Sequence, residues 1–152
     1  MASTIQAKDL TKDHPRSPYE ELGGIPWLAR LIDKVRALNA GTIGEYTPYP
    51  CGGDQNFIKT MGVDTDALKA EITSGKSDEQ IAEWVKQHAQ PGWEQRLVDY
   101  RKAQRSAVTG EMAGYLEGSK KELKAARPEL DVSKADNWSR LICVEEGHAL
   151  PA

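Results

Sequence analysis

Apolar residues recur with helical spacing along most of this chain. The clearest segment is residues 26–38, where one helical face collects Trp27, Leu28, Leu31, Ile32, Val35 and Leu38. Shorter helices are predicted over 54–61, 64–74, 77–90, 93–107, 110–126 and 136–147, most of them bounded by capping residues, Gly or Pro. No segment shows a convincing strand alternation. The pattern predicts an all-α fold, an irregular orthogonal bundle of six or seven short helices.

The N-terminal part of the chain is polar and lacks this periodicity. For residues 1–16 we expect an arm that is flexible or draped on the surface. For residues 17–152 we expect a single α-helical domain. Ser17-Pro18 is typical of a helix start, so a short helical turn is expected through Leu22, ended by Gly23-Gly24.

Residues 41–53 are the one long segment that cannot be a helix. They contain four Gly, two Pro, two Tyr, one Glu and one of the two Cys of the chain. Irregular loops held on a rigid scaffold often carry binding or catalytic residues. We therefore expect a small-molecule site, with or without catalysis, between helix 26–38 and this loop.

Cys51 is the candidate nucleophile of this site. It lies at or just before a helix N-terminus, which stabilises a thiolate, and Gly52 and Gly53 would let a ligand approach the backbone. Two observations favour a structural role instead. A lone Cys is often a small buried hydrophobe, and the Asp54 carboxylate would cap the same helix and disfavour a thiolate.

The remaining candidate residues lie on the helix and on the loop. Asp33 and Glu45 would supply acid–base capacity, Tyr46 and Tyr49 would orient a ligand, and Arg30 and Lys34 would bind its carboxylate or phosphate. Arg30, Asp33 and Lys34 lie away from the apolar stripe, where they would face water unless the loop folds back over them. In the alternative interpretation the tyrosines pack the loop, and Glu45 is solvated or pairs with Arg30 or Lys34.

A different kind of function is suggested by residues 110–126. We expect Met112, Leu116 and Leu123 to point inward, while Gly110, Gly114 and Gly118 form a smooth stripe at intervals of four. This stripe and the four Trp of the chain favour a non-catalytic homodimer or partner-binding module as the alternative function. A third option is a metal site using Cys143, Glu146 and His148, whose spacing matches no established zinc pattern.

Composition and charge narrow the classes of function. A net charge of -3 argues against nucleic acid as the main partner, and no apolar run reaches the length of a membrane span. The first residues lack the apolar core of a signal peptide, and two distant Cys make no disulfide framework, so a cytoplasmic protein is expected. Nucleotide-binding and common hydrolase motifs are absent, and no cofactor is predicted.

Three runs of the sequence carry a family resemblance. They are the Pro15-Arg-Ser-Pro-Tyr to Ala37 region, Gly41-Thr-Ile-Gly-Glu-Tyr46 with the following Cys51 and Asp54-Gln55, and Gly75-Lys-Ser-Asp-Glu-Gln-Ile-Ala-Glu-Trp-Val85. Together they resemble DUF5069, a bacterial family of small proteins of unknown function, over roughly residues 9–107. The chain departs from the family pattern at Gly52 and Gly53, where Pro-Leu is usual. The resemblance implies one shared site formed by Arg30, Asp33, Lys34, Glu45, Tyr46 and Cys51.

Overall fold

The computed structural model describes residues 5–151, so the first four residues of the predicted arm and the last residue of the predicted domain lie outside it. The elements in chain order are β1 (Glu21–Leu22), β2 (Ile25–Pro26), α1 (Leu28–Ala40), α2 (Gly52–Met61), α3 (Thr65–Thr73), α4 (Asp78–His88), α5 (Trp93–Gln104), α6 (Glu111–Ala126) and α7 (Trp138–Glu146). The all-α class is thus confirmed. None of the helices in this described part is long and apolar enough to cross a membrane.

The described chain forms two compact units that divide after Val98, within α5. In the first unit, α1 packs against α3 and α4, and its core is formed by apolar side chains that include Leu28, Leu31, Ile32, Val35, Phe57, Met61, Leu68, Ile72, Ile81 and Val85. In the second unit, α6 packs on α7 around Leu116, Ala135 and Leu141. The single domain expected over residues 17–152 stays a prediction.

The start of the first unit differs from the prediction. The helical turn expected through Leu22 is shorter than predicted: the Glu20 amide donates to the Ser17 carbonyl at 3.1 Å, but Glu21 and Leu22 belong to an antiparallel hairpin in which Leu22 pairs with Ile25. Gly23 and Gly24 make its turn at φ values of 58° and 80°, which other residues rarely adopt. Helix α1 consequently begins at Leu28, two residues later than expected.

The described part of the arm lies against the chain that follows α1. Leu10 is buried, and its amide donates to the Thr42 carbonyl at 2.9 Å. The Thr42 hydroxyl donates in turn to the Lys8 carbonyl at 3.2 Å. A side chain on Gly44 would meet the Leu10 carbonyl oxygen at 2.8 Å, so a glycine is required for this close approach. The arm therefore brings Pro15 and Arg16 over one side of α1.

Helix α6 has a different inward face from the one expected. Leu116 is buried and Leu123 is packed against the core of the second unit, as predicted. Met112 is 49% exposed, so its predicted inward position is wrong. Met112 lies in the first turn of the helix, and neighbouring Tyr115 is also exposed, at 65%. Gly114 and Gly118 have open space beside them.

Candidate functional site

Helix α1 carries three charged residues into the interior of the first unit. Arg30, Asp33 and Lys34 are only 5%, 5% and 3% exposed. Of the two orientations considered for them, the one facing water is therefore wrong. Asp33 is covered by Arg16 from the arm, and Lys34 contacts the start of α2. Burial of so much charge requires close partners for each group.

Lys34 joins α1 to the start of α2. Its Nζ lies 3.0 Å from the Cys51 Sγ and 3.1 Å from Oδ2 of Asp54, which is fully buried. The same Asp54 oxygen accepts the Cys51 amide at 3.0 Å, as expected for an acidic residue at the third position of a helix. We call these three side chains the Lys34–Cys51–Asp54 cluster. Helix α2 begins at Gly52, so the predicted loop 41–53 is two residues shorter than expected.

Trp27 completes the surroundings of Asp54. Its indole Nε1 donates to Asp54 Oδ1 at 2.9 Å. The Trp27 backbone has a φ of 70°, a left-handed conformation that costs a bulky residue about 1–3 kcal/mol. A Cβ on Gly53 would lie 2.4 Å from Cζ2 of this indole, so only glycine lets the ring pack on the first turn of α2. Gly53 is therefore a packing residue here.

Asp33 belongs to a second group of charges, which we call the arginine–aspartate network: Arg16, Asp33, Arg36 and Asp78. Arg16 Nη2 donates to Asp33 Oδ1 at 3.0 Å, while its Nε and its amide donate to Oδ2 at 3.1 and 2.8 Å. Arg16 Nη1 also donates to Asp78 Oδ2 at 2.8 Å, and Arg36 Nη1 lies 2.8 Å from Asp78 Oδ1. The network thus contains two cations and two anions.

The pKa shifts of this network follow from its ion pairs. Burial lowers the pKa of Arg16, but its hydrogen bonds to Asp33 and Asp78 outweigh burial and raise the pKa overall. Burial alone would raise the pKa of the Asp78 carboxyl. Arg16 and Arg36 lower this pKa by more than burial raises it, so it lies below its ordinary value. Both groups are therefore held in their charged forms near neutral pH.

Arg30 and Tyr46 contact each other beside the arm. The Arg30 guanidinium lies 5.7 Å from the Trp27 ring centroid and 6.0 Å from that of Tyr46, within the range of cation–π attraction. The Tyr46 hydroxyl is 2.6 Å from Nδ1 of His14. These contacts hold the loop and the arm together over α1.

The other candidate residues lie in three different environments. Tyr49 is buried, and its hydroxyl donates to the Thr65 carbonyl at 2.8 Å. Burial, reinforced by the charge of Asp54, raises the Tyr49 pKa, so this phenol is neutral near pH 7. Glu45 is exposed on the loop. Gly52 is exposed in the first turn of α2, with open space where a side chain would project.

Sequence reasoning missed several residues that form the site. The sequence pattern places Trp27 on the apolar stripe of the helix. It places Arg16 in the polar arm, where no site residue is predicted. Asp54 was recognised as a helix cap, but its ion pair with Lys34 was not. One signal was available: an acidic residue three positions after Cys51, preceded by two glycines, is typical of a helix start packed against a large side chain.

The arrangement offers thiol chemistry and no cluster of metal ligands. Cys51 is half-buried and not disulfide-bonded, and a cation contacts its sulfur. Within residues 5–151, no three His, Cys, Asp or Glu side chains are grouped to hold a metal ion, which leaves the option of Cys143, Glu146 and His148 without support. His148 Nε2 instead lies 3.0 Å from Oε1 of Glu146.

The chain matches one known family of proteins. The sequence model of the family described as "Domain of unknown function (DUF5069)" matches residues 12–148. This match includes every residue of the Lys34–Cys51–Asp54 cluster and of the arginine–aspartate network. A comparison with curated proteins found no match.

Proposed function

This chain belongs to the family of domains of unknown function DUF5069, and from that premise we propose that it binds a small molecule between α1 and the loop before α2, with Cys51 as the reacting group. The observation that carries the proposal is the 3.0 Å contact between Lys34 Nζ and Cys51 Sγ. A thiol that contacts a buried ammonium group is a common arrangement at reactive cysteines. The proposed ligand is therefore an electrophile.

Two positive groups lie beside the Cys51 sulfur, the start of α2 and the Lys34 ammonium group. Cys51 is the N-cap of α2, where the helix dipole is positive. The Asp54 carboxylate opposes negative charge on the sulfur, but it already accepts hydrogen bonds from Lys34, the Cys51 amide and the Trp27 indole. Asp54 is thus bound by three donors, and the helix terminus and the Lys34 ammonium group are the groups that can stabilise charge developing on the sulfur as it reacts.

The other predicted site residues have different roles in this proposal. Glu45 supplies acid–base capacity, because its exposed carboxylate can meet a ligand from solvent. Asp33 positions the arm, since both of its oxygens accept hydrogen bonds from Arg16. Tyr46 lines the loop beside Arg30, and the buried Tyr49 fixes the loop end through the Thr65 carbonyl.

Selective alkylation tests the proposal, and the chain supplies an internal control. Cys143 is fully buried, whereas Cys51 is half-buried. With iodoacetamide, we expect Cys51 to react and Cys143 to stay unmodified in the folded protein, measured by intact mass and peptide mapping. Cys51 should react faster than free cysteine, and Lys34→Met should remove this advantage. Reaction no faster than that of free cysteine would overturn the assignment of Cys51.

Ligand binding itself is tested by native mass spectrometry. Untagged protein is purified gently from its own host and compared with its denatured mass. A mass excess that is lost on denaturation, and that is absent from Cys51→Ser or Glu45→Gln, is the expected result. A ligand that persists unchanged in both variants would contradict this site.

Compartment and partners complete the proposal. We propose a location in the bacterial cytoplasm, supported by two cysteines that are not disulfide-bonded. A small molecule is its proposed partner, and neither nucleic acid nor a membrane is included, given the net charge of -3 and the described helices.

A second candidate function is self-association through α6. Met112 and Tyr115 are 49% and 65% exposed, and Gly114 and Gly118 leave open space on this helix. Exposed apolar side chains beside small residues suit close packing of another helix. Light scattering should show a dimer that Tyr115→Ser weakens. A monomer at all concentrations would remove this candidate.

A further inference from the structure

We propose that Lys34 and Cys51 form a covalent sulfur–nitrogen bond when a peroxide oxidises Cys51. Their reactive atoms lie 3.0 Å apart, which is within the range of a near-attack arrangement. Lys34 is 3% exposed, so its ammonium group is held at the sulfur. The inference depends on this contact and not on the identity, or the existence, of the proposed ligand.

The oxidation proceeds in two steps that balance. In the first, the Cys51 sulfur attacks hydrogen peroxide, the O–O bond breaks, and a sulfenic acid and one water are formed. In the second, the Lys34 ammonium group first gives up one proton, the resulting amine nitrogen attacks the sulfenic sulfur, the S–O bond breaks, and the hydroxyl leaves as water with a second proton from the nitrogen. The peroxide is reduced, and the sulfur carries the whole oxidation.

Asp54 is the group that can take the proton that Lys34 gives up before the attack. Its Oδ2 lies 3.1 Å from Lys34 Nζ, and its carboxylate is fully buried. Once the nitrogen is bonded to sulfur, it is no longer a cation, so the Asp54 anion loses its partner in a low-dielectric interior. Protonation of Asp54 removes that unpaired charge. The cluster thus remains neutral before and after the reaction.

Competing partners for the sulfenic acid are limited. The chain has two Cys, and the other one, Cys143, is fully buried, which shields it from peroxide. The backbone nitrogen of Gly52 is the remaining intramolecular competitor, because sulfenic acids condense with neighbouring amides. This amide belongs to the first turn of α2, so its attack would distort the helix start, whereas Lys34 Nζ already lies 3.0 Å from the sulfur.

The experiment is a hydrogen peroxide titration of the full chain, followed by intact mass and tandem mass spectrometry without reducing agent. We expect a species lighter than the reduced protein by two hydrogen atoms, a cross-linked peptide pair that contains Lys34 and Cys51, and restoration of the starting mass by excess thiol. The peptide pair is mapped in the wild-type chain, so this result does not depend on whether any variant folds.

Matched variants locate the bond. Lys34→Arg keeps a cation but lacks a nucleophilic amine, so Cys51 should gain oxygen atoms and form no cross-link. Lys59→Arg, at an exposed position of α2, should behave as wild type. The proposal is overturned if wild-type Cys51 gains only oxygen, or if Lys34→Arg still loses two hydrogens, which would assign the bond to the Gly52 amide. Alkylation without peroxide tests the proposed function separately, so either idea can fail alone.

Discussion

Two neighbouring residues of α1, Asp33 and Lys34, belong to two different groups of charged side chains. Asp33 belongs to the arginine–aspartate network, where Arg16 binds both Asp33 and Asp78 and Arg36 binds Asp78 through short ion pairs. Lys34 enters a cluster with one carboxylate, Asp54, and one thiol. Both groups hold α1 to other parts of the first unit. They differ in that Asp33 is bound by a guanidinium group, whereas Lys34 contacts a thiol sulfur as well as a carboxylate.

We use this difference to separate a structural group from the group that we propose to be reactive. In the arginine–aspartate network, two cations meet two anions, and Arg16 binds both oxygens of Asp33, which is an arrangement that fixes geometry. In the Lys34–Cys51–Asp54 cluster, the cation also contacts a sulfur that can react. Buried charge is common to both groups and therefore does not identify the proposed site. The Cys51 thiol, which belongs only to the Lys34–Cys51–Asp54 cluster, does.

The largest effect is expected from removing the buried anion. Asp54→Ala leaves the Lys34 charge uncompensated and removes the hydrogen bonds from Trp27 and the Cys51 amide. We expect the free energy of unfolding to fall by about 3–5 kcal/mol in urea denaturation. Asp64→Ala removes an exposed helix cap in α3 and should cost only about 1 kcal/mol. Equal losses in the two variants would contradict this account of the cluster.

The two glycines that begin α2 provide the next comparison. A methyl group at Gly53 would collide with the Trp27 ring, whereas one at Gly52 meets open space. We expect Gly53→Ala to lower the free energy of unfolding by about 1–3 kcal/mol, and Gly52→Ala to leave it nearly unchanged. Thermal and urea unfolding measure both. A Gly53→Ala variant as stable as the parent would show that the indole can move without loss.

Removing Arg16 should distinguish the two groups of charges. Arg16→Met leaves the buried Asp33 without its cation, and we expect a loss of about 1–3 kcal/mol in unfolding free energy. The rate of Cys51 alkylation should stay within a factor of about two, because the contacts of Lys34 are unaffected. If this variant changes the thiol reactivity as strongly as Lys34→Met does, the groups are coupled and the comparison fails.

The smallest effect concerns acid pH. The Asp78 carboxyl pKa is lowered in the folded state: burial opposes the shift, but Arg16 and Arg36 outweigh it. A carboxyl group whose pKa is lower in the folded state than in the unfolded state stabilises the fold. This contribution is complete above the unfolded-state pKa of about 3.9 and is lost as the pH falls through the folded-state pKa. Asp78→Asn should therefore flatten the pH dependence of the unfolding free energy below about pH 4. Urea midpoints at several acid pH values measure it, and an unchanged slope would contradict the assignment.

Local patterns predicted most of the helices in this protein. The apolar stripe predicted for α1 is a short-range signal, and the structure reproduces it. The predicted helix from residue 77 is likewise found as α4, which begins with a capping box of Ser77 and Gln80. The hairpin was not predicted because two-residue strands have no measurable alternation. The start of α2 was placed two residues late, since its N-cap is a Cys, which is not a typical capping residue.

The candidate site was predicted only in part, for reasons of distance along the chain. Helical periodicity placed Arg30, Asp33 and Lys34 on the polar face, and such a face normally meets water. What buries them is the arm on one side and α2 on the other, and periodicity contains no information about such contacts. The proximity of Cys51 to α1 was expected from the loop, but the choice of Lys34 as its neighbour depends on the packing of Trp27 against Gly53.

Arg16 has a consequence for the order in which the first unit folds. It joins Asp33 and Asp78, which lie 17 and 62 residues away in sequence, so its bonds cannot form until α1 and the start of α4 are together. Contacts that close so long a loop contribute late in folding. Weakening Arg16 should therefore accelerate unfolding and leave the refolding rate almost unchanged. We therefore predict that Arg16 lengthens the lifetime of the folded state without changing the rate at which that state forms.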